Sequence, residues 1–80
     1  DSMEGAGIYE GDLVTAHTKV EPKNGDIVVA LIDGGNTLKR LVTKGSKAYL
    51  KAENPKYEDI HPAESLEIQG VVTGLIRNYI

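Results

Sequence analysis

Length, composition and charge restrict this chain to a few protein classes. With 80 residues and a formal charge of −3, it is one small domain with no basic face for nucleic acid. It has no cysteine, which excludes disulfides and thiolate metal sites, and no apolar run near the roughly 18 to 20 residues of a membrane span.

The first half of the chain predicts one helical turn and two strands. The turn is expected around Met3 and leads into a glycine-punctuated loop. LVTAHT has the composition of a strand, and DIVVALID, apolar on both faces, predicts a central strand covered on both sides. Each is preceded by a Gly-Asp pair, at Gly11-Asp12 and Gly25-Asp26. These pairs predict matching turns in which the carboxylate caps backbone N–H groups.

The second half predicts three more strands. DGGN, between DIVVALID and TLKRLVT, is a hairpin signal because glycine adopts a positive φ easily. AYLKAE follows, and LEIQGVVTGLIRNYI closes the chain, with Gly70 and Gly74 predicting bulges or bends. No stretch has sustained helical periodicity. The predicted fold class is all-β, a small antiparallel multi-strand domain with hairpins over residues 1–80.

The segment NTLKRLV places two cations, Lys39 and Arg40, inside a predicted strand. Strand alternation puts Lys39 on one face with Thr37 and Leu41, and Arg40 on the other face. Burying an ammonium is unfavourable unless it is paired or neutral. Two interpretations remain open: an edge strand whose cations are both solvated, which is the commoner case, or a buried, neutral Lys39 that acts as a general base.

Ser2 is the second candidate for chemistry, since a serine becomes a nucleophile beside a base; a helix cap is its commoner role near a chain start. His17 and His61 have no spacing that supports a triad or a metal site. We therefore predict no metal and no cofactor. Asp33 and Glu53 are expected to face water rather than pair with the cations.

Four sequence blocks follow one another in a recognisable order: SM with GDLV after it, NGDIVVALIDGGNTLKRLV, YLKAENPKYEDI and IQGVVTGLIRN. Together they cover nearly the whole chain and resemble the C-terminal domain of the LexA and UmuD proteins, self-cleaving serine peptidases of the bacterial DNA-damage (SOS) response. The resemblance implies that Ser2 is the nucleophile and Lys39 the general base of a Ser–Lys dyad. Arg40 matches the second, non-catalytic cation.

The resemblance also implies a function for the whole protein. We expect a LexA-like transcriptional repressor that cleaves its own small-residue–Gly bond upstream of Ser2 when a RecA filament stimulates it. It would act in the bacterial cytoplasm, away from membranes, as a homodimer formed partly through its C-terminal strand. DNA would be bound only through a domain absent from this chain. Because the chain begins one residue before Ser2, we expect a fragment without the cleaved bond that is inactive alone; the Ala6-Gly7 pair is expected to be a turn.

Three alternatives remain open. One is a UmuD-like accessory domain of a translesion polymerase. Another is signal peptidase, which has a related dyad but needs a membrane anchor and fits the AENPKYEDI block poorly. The third is a non-enzymatic dimerisation module that keeps the dyad residues.

Overall fold

A computed structural model describes residues 2–32, 34–57, 59, 66–77 and 79. A short 3₁₀ helix, Glu4–Ala6, comes first. Within the described residues five strands follow: β1 (Leu13–His17), β2 (Ile27–Ile32), β3 (Gly35–Lys44), β4 (Lys47–Lys51) and β5 (Leu66–Ile76). The all-β prediction and the helical turn near Met3 are confirmed. His61 and Asp33 lie outside the described residues.

The five strands form one sheet in the order β1-β5-β2-β3-β4, and every pairing is antiparallel. The predicted hairpin joins β2 to β3, with Ile32 opposite Gly35. β2 occupies the middle of the sheet, as its apolar composition predicts. β3 lies between β2 and β4, so the interpretation of NTLKRLV as an edge strand is wrong.

One face of the sheet carries the hydrophobic core. On β2, Val28 and Ala30 are fully buried, whereas Val29 and Leu31 on the opposite face are only partly buried. The expectation that β2 is covered on both sides is therefore only half met, because the described strands form a single sheet. The buried cluster consists of Val28, Ala30, Leu41, Leu50 and Val71.

Two bulges shape β5 beside its glycines, as predicted. Against β2, Val29 pairs with Gly70 and the next pair skips one residue of β5. Against β1, the register shifts in the same way next to Gly74. A Cβ on Gly74 would lie 2.8 Å from Thr15 Oγ1. The close approach of β1 therefore favours glycine at this position.

The two predicted Gly-Asp turns are also present. The Asp12 carboxylate accepts the Tyr9 N–H at 2.8 Å, and the Asp26 carboxylate accepts the Lys23 N–H at 2.8 Å. The preceding glycines have φ of 90° and 91°, a conformation that glycine adopts without strain. The first turn leads directly into β1 and the second into β2.

Candidate active site

Ser2 lies at the start of a tight turn that is fixed by its neighbours. Met3 is buried, with 3% of its surface exposed, and its carbonyl accepts the N–H groups of Ala6 and Ile8 at 3.0 and 3.2 Å. Met3, not Ser2, occupies the N-cap position of the 3₁₀ helix. The Ser2 side chain points elsewhere, so the interpretation of this serine as a helix cap is wrong. The Ala6-Gly7 pair closes the turn as expected, with Gly7 at a φ of 79°.

The backbone of Glu53 anchors this turn to the segment after β4. The Glu53 N–H donates to the Ser2 carbonyl at 2.7 Å, and the Gly5 N–H donates to the Glu53 carbonyl at 2.6 Å. A Cβ on Gly5 would lie only 2.3 Å from the Glu53 carbonyl oxygen. Residue 5 is therefore glycine because the two backbones touch.

Lys39 projects from β3 towards the core face and meets Ser2. Its side chain lies beside the buried cluster with 6% of its surface exposed, as strand alternation with Leu41 predicts. A hydrogen bond of 2.6 Å joins Lys39 Nζ to Ser2 Oγ, across 37 residues of sequence. The Tyr57 ring covers the amine, with its centroid 5.8 Å from Nζ. The fold thus brings together the two residues that the sequence selects.

Burial changes the chemistry of this amine. Desolvation lowers the pKa of Lys39 below its ordinary value of 10.5, because an ammonium loses hydration that the apolar surroundings do not replace. No ion pair compensates for that loss at Lys39 within the described part of the chain. A neutral amine in this position can accept the proton of the Ser2 hydroxyl. Catalysis by this pair stays a prediction.

Arg40 faces the other side of β3, as predicted, but it is not simply solvated. Its Nε donates to the Glu53 carboxylate in an ion pair, and its Nη1 donates to the Gly25 carbonyl at 2.6 Å. The expectation that Glu53 faces water is therefore wrong. Glu53 ends AYLKAE, the predicted strand that follows the strand of Arg40, and nothing in either strand favours their ion pair over exposure to water.

A cleft of about 420 Å³ opens in front of Ser2. A volume of this size is in the range of ligand-binding clefts. Ser2 is part of its wall, and Lys39, which does not line the cleft, is hydrogen-bonded to Ser2 Oγ. The sequence did not single out Tyr57 as part of this site. The walls of the cleft are formed by Ser2, Met3, residues 8–12, Val14, Thr37, Leu38 and Tyr57.

The loop that forms one wall of the cleft is tied to the end of β5 by Arg77. The guanidinium donates to both Asp12 carboxylate oxygens, at 2.9 and 2.6 Å, and to the Gly7 carbonyl. It also lies over the Tyr9 ring, 5.0 Å from the centroid. The hydrogen bond from Arg77, followed by that from the Tyr9 N–H, lowers the pKa of Asp12 from 3.8 to about 2. The sequence predicted the turn but gave no signal for the arginine.

The remaining candidates that lie in the described part of the chain form no second site. His17 is exposed on β1, and its Nδ1 accepts the Lys19 N–H at 3.4 Å. Among residues that the structure describes, no cluster of three histidine or acidic side chains could hold a metal. The same part of the chain has no helix with the length and apolar character needed to cross a membrane.

A serine hydroxyl hydrogen-bonded to a buried lysine, at the wall of a cleft, has the composition of a serine hydrolase site. A comparison with known protein families narrows the class of hydrolase. Residues 1–73 match the family described as peptidase S24-like. The chain belongs to that family.

Three similar proteins are LexA repressors. The chain is 49% identical over 79 residues to the LexA repressor of Verrucomicrobium spinosum, covering 99% of this chain and 39% of that protein. It is 46% identical to the LexA repressor of Shewanella sediminis and 43% identical to that of Vibrio cholerae, each time covering 98% of this chain and 39% of the relative. The chain thus spans about two fifths of the length of these relatives.

Proposed function

We propose that residues 1–80 are the self-cleaving peptidase domain of a LexA-like repressor of the bacterial SOS response, with Ser2 as nucleophile and Lys39 as general base. The observation that carries the proposal is the 2.6 Å contact between Ser2 Oγ and the buried Lys39 amine. Family membership and the names of the relatives support a peptidase of this kind.

In the proposed reaction, neutral Lys39 takes the Ser2 hydroxyl proton while Oγ attacks the carbonyl carbon of the scissile peptide bond. The resulting oxyanion accepts a hydrogen bond from the Ser2 backbone N–H. Protonated Lys39 then gives its proton to the departing amine as the C–N bond breaks, which leaves an ester on Ser2. Water hydrolyses the ester with Lys39 again as the base.

The proposed substrate is the protein's own small-residue–Gly bond upstream of Ser2, bound in the cleft and cleaved when a RecA filament stimulates the protein. The volume of the cleft and its position at Ser2 support a peptide substrate. The relatives' name favours a repressor over a UmuD-like polymerase accessory protein. DNA binding through another domain and a place in the bacterial cytoplasm belong to the same proposal.

The same domain is proposed to form a homodimer through its C-terminal strand. Pairing with β2 uses only residues Leu66–Val71 of β5, whereas pairing with β1 continues to Ile76. Leu75 and Ile76 are 43% and 57% exposed. A half-paired strand end with exposed apolar side chains supports contact with a second copy.

The test uses the full-length gene product, because the relatives extend well beyond this chain. Wild type, Ser2→Ala and Lys39→Ala are incubated at mildly alkaline pH with and without a RecA filament on single-stranded DNA. Lys44→Ala, an exposed lysine on the same strand, is the matched control. Cleavage is followed by gel and mass spectrometry, and association by sedimentation velocity.

We expect a single cut upstream of Ser2 that is faster with the filament and at higher pH, because alkaline conditions favour the neutral amine. The cut should be absent in Ser2→Ala and Lys39→Ala and unchanged in Lys44→Ala. An intact wild-type chain under all conditions, with dimerisation retained, would instead identify a non-enzymatic dimerisation module.

A further inference from the structure

Arg40 and Glu53 connect β3, which carries Lys39, to the turn that carries Ser2. Arg40 lies on the face of β3 opposite Lys39. The Arg40 side chain reaches the Glu53 carboxylate through Nε and the Gly25 carbonyl through Nη1. Gly25 is itself joined to β3, because its N–H donates to the Leu41 carbonyl at 2.8 Å. Arg40 therefore fixes the Glu53 side chain to a rigid part of the sheet.

Glu53 at the same time holds the Ser2 turn through its backbone. Its N–H and carbonyl bond to Ser2 and Gly5 at 2.7 and 2.6 Å. One residue thus contacts the nucleophile turn with its main chain and β3 with its side chain. The contact on β3 is Arg40, the immediate neighbour of Lys39.

We infer that Arg40 and Glu53 are positioning residues that set the separation between Ser2 Oγ and Lys39 Nζ. This inference rests on the proposed function of the Ser–Lys pair. Lys39 and Arg40 are neighbours on β3; both pair with β2, and Arg40 also pairs with β4. The ion pair therefore sets where the Glu53 backbone, and with it Ser2, lies relative to Lys39.

The positioning role of Arg40 and Glu53 is distinct from a general contribution to folding stability. The Arg40 and Glu53 side chains are 31% and 24% exposed, and partly exposed ion pairs contribute little to folding. The Ser2 turn keeps other supports, since Met3 is buried. Loss of the pair should therefore leave the domain folded and disturb the alignment of Ser2 and Lys39, and a displacement of about 1 Å lowers a rate by roughly 100-fold.

The test compares Arg40→Gln, Arg40→Lys and Glu53→Gln with wild type in the full-length gene product. Lys51→Gln is the matched control, because Lys51 lies opposite Arg40 on β4, is exposed, and loses the same charge. Urea unfolding establishes that each variant is folded. The self-cleavage rate is then measured from pH 6 to 10.

We expect Arg40→Gln to cleave about 10- to 100-fold more slowly than wild type. The cleavage rates of Arg40→Lys and Glu53→Gln should lie between those of Arg40→Gln and wild type. Within the described residues the Ser2 hydroxyl and the Tyr57 ring face the Lys39 amine. A displaced Ser2 admits water to that amine, so the midpoint of the pH profile should move to higher pH. A purely structural role would lower the urea midpoint without moving the pH profile of the folded protein.

Two outcomes would overturn the inference in different ways. If wild type cleaves and Arg40→Gln matches Lys51→Gln in rate and pH midpoint, the positioning role is refuted while the Ser–Lys pair stands. If wild type itself never cleaves and Ser2 does not react with a fluorophosphonate probe, the proposed function fails and the inference fails with it.

Discussion

Gly5→Ala adds one methyl group and should disturb the turn that carries Ser2. The added Cβ would lie 2.3 Å from the Glu53 carbonyl oxygen, where ordinary contacts begin at 3.4 Å. The two backbones must therefore separate by about 1 Å. Gly5 does not have a positive φ, so steric contact rather than backbone strain is the cause.

This separation breaks the hydrogen bonds that Glu53 makes to Gly5 and Ser2, now 2.6 and 2.7 Å long. At roughly 1 kcal/mol net for each bond, the free energy of unfolding should fall by about 2 kcal/mol. Reduced freedom of the unfolded chain offsets about 0.5 kcal/mol of this loss. Because Ser2 moves with the turn, self-cleavage in the folded protein should slow by roughly 100-fold.

Urea unfolding and the rate of self-cleavage in the full-length gene product measure the two effects. Gly35→Ala is the control, since its Cβ would meet the nearest atom, the Ile32 carbonyl oxygen, at 3.8 Å. We expect that control to stay within about 0.5 kcal/mol of wild type and to cleave normally. Equal stability and equal rates for Gly5→Ala and Gly35→Ala would refute the contact between the turn and Glu53.

Two further predictions concern the charged groups. Lys39→Met should have a higher free energy of unfolding than wild type at neutral pH. Because the pKa of Lys39 in the folded protein lies below 10.5, the unfolded chain binds more protons than the folded one. The free energy of unfolding of wild type should therefore rise as pH increases towards 10.5, and the difference from Lys39→Met should shrink. Urea unfolding from pH 7 to 10, with Lys44→Met as control, measures this, and a gap that does not change with pH would contradict it. Asp12→Asn should be less stable than wild type at neutral pH, because it loses the charged contact with Arg77. The pKa of Asp12 is lowered to about 2 in the folded protein, so protonation weakens this contact in wild type as well. The stability difference between the two proteins should therefore close as pH falls from about 4 through about 2. Thermal unfolding between pH 2 and 6, with Asp26→Asn as control in the equivalent turn, measures this; a gap that persists at pH 2 would count against the contact.

Local patterns in the sequence predict much of the fold. The faces of β3, the caps by Asp12 and Asp26, and the bulges beside Gly70 and Gly74 all follow from residues close in sequence. The faces and the caps depend on strand alternation and on the hydrogen bonds that aspartate makes locally. Glycine marks where β5 can bulge, although each bulge forms against a strand distant in sequence.

The candidate site was predictable only in part. The sequence motifs selected Ser2 and Lys39 through their resemblance to a family, whereas alternation alone left Lys39 open to an exposed role. The position of β3 between β2 and β4 decides that question. Strand order is set by packing among segments far apart in sequence, which no local pattern contains.

The supporting contacts belong entirely to the tertiary structure. Arg77 meets Asp12 because folding brings together segments 65 residues apart in sequence, whereas Arg40 reaches Glu53 beyond the end of the neighbouring strand β4. A charged side chain near the surface can face water or pair with any nearby opposite charge, and the sequence does not distinguish these outcomes. The sequence by itself thus determined the strands and the two residues proposed to react, whereas the folded chain decided what holds those residues 2.6 Å apart.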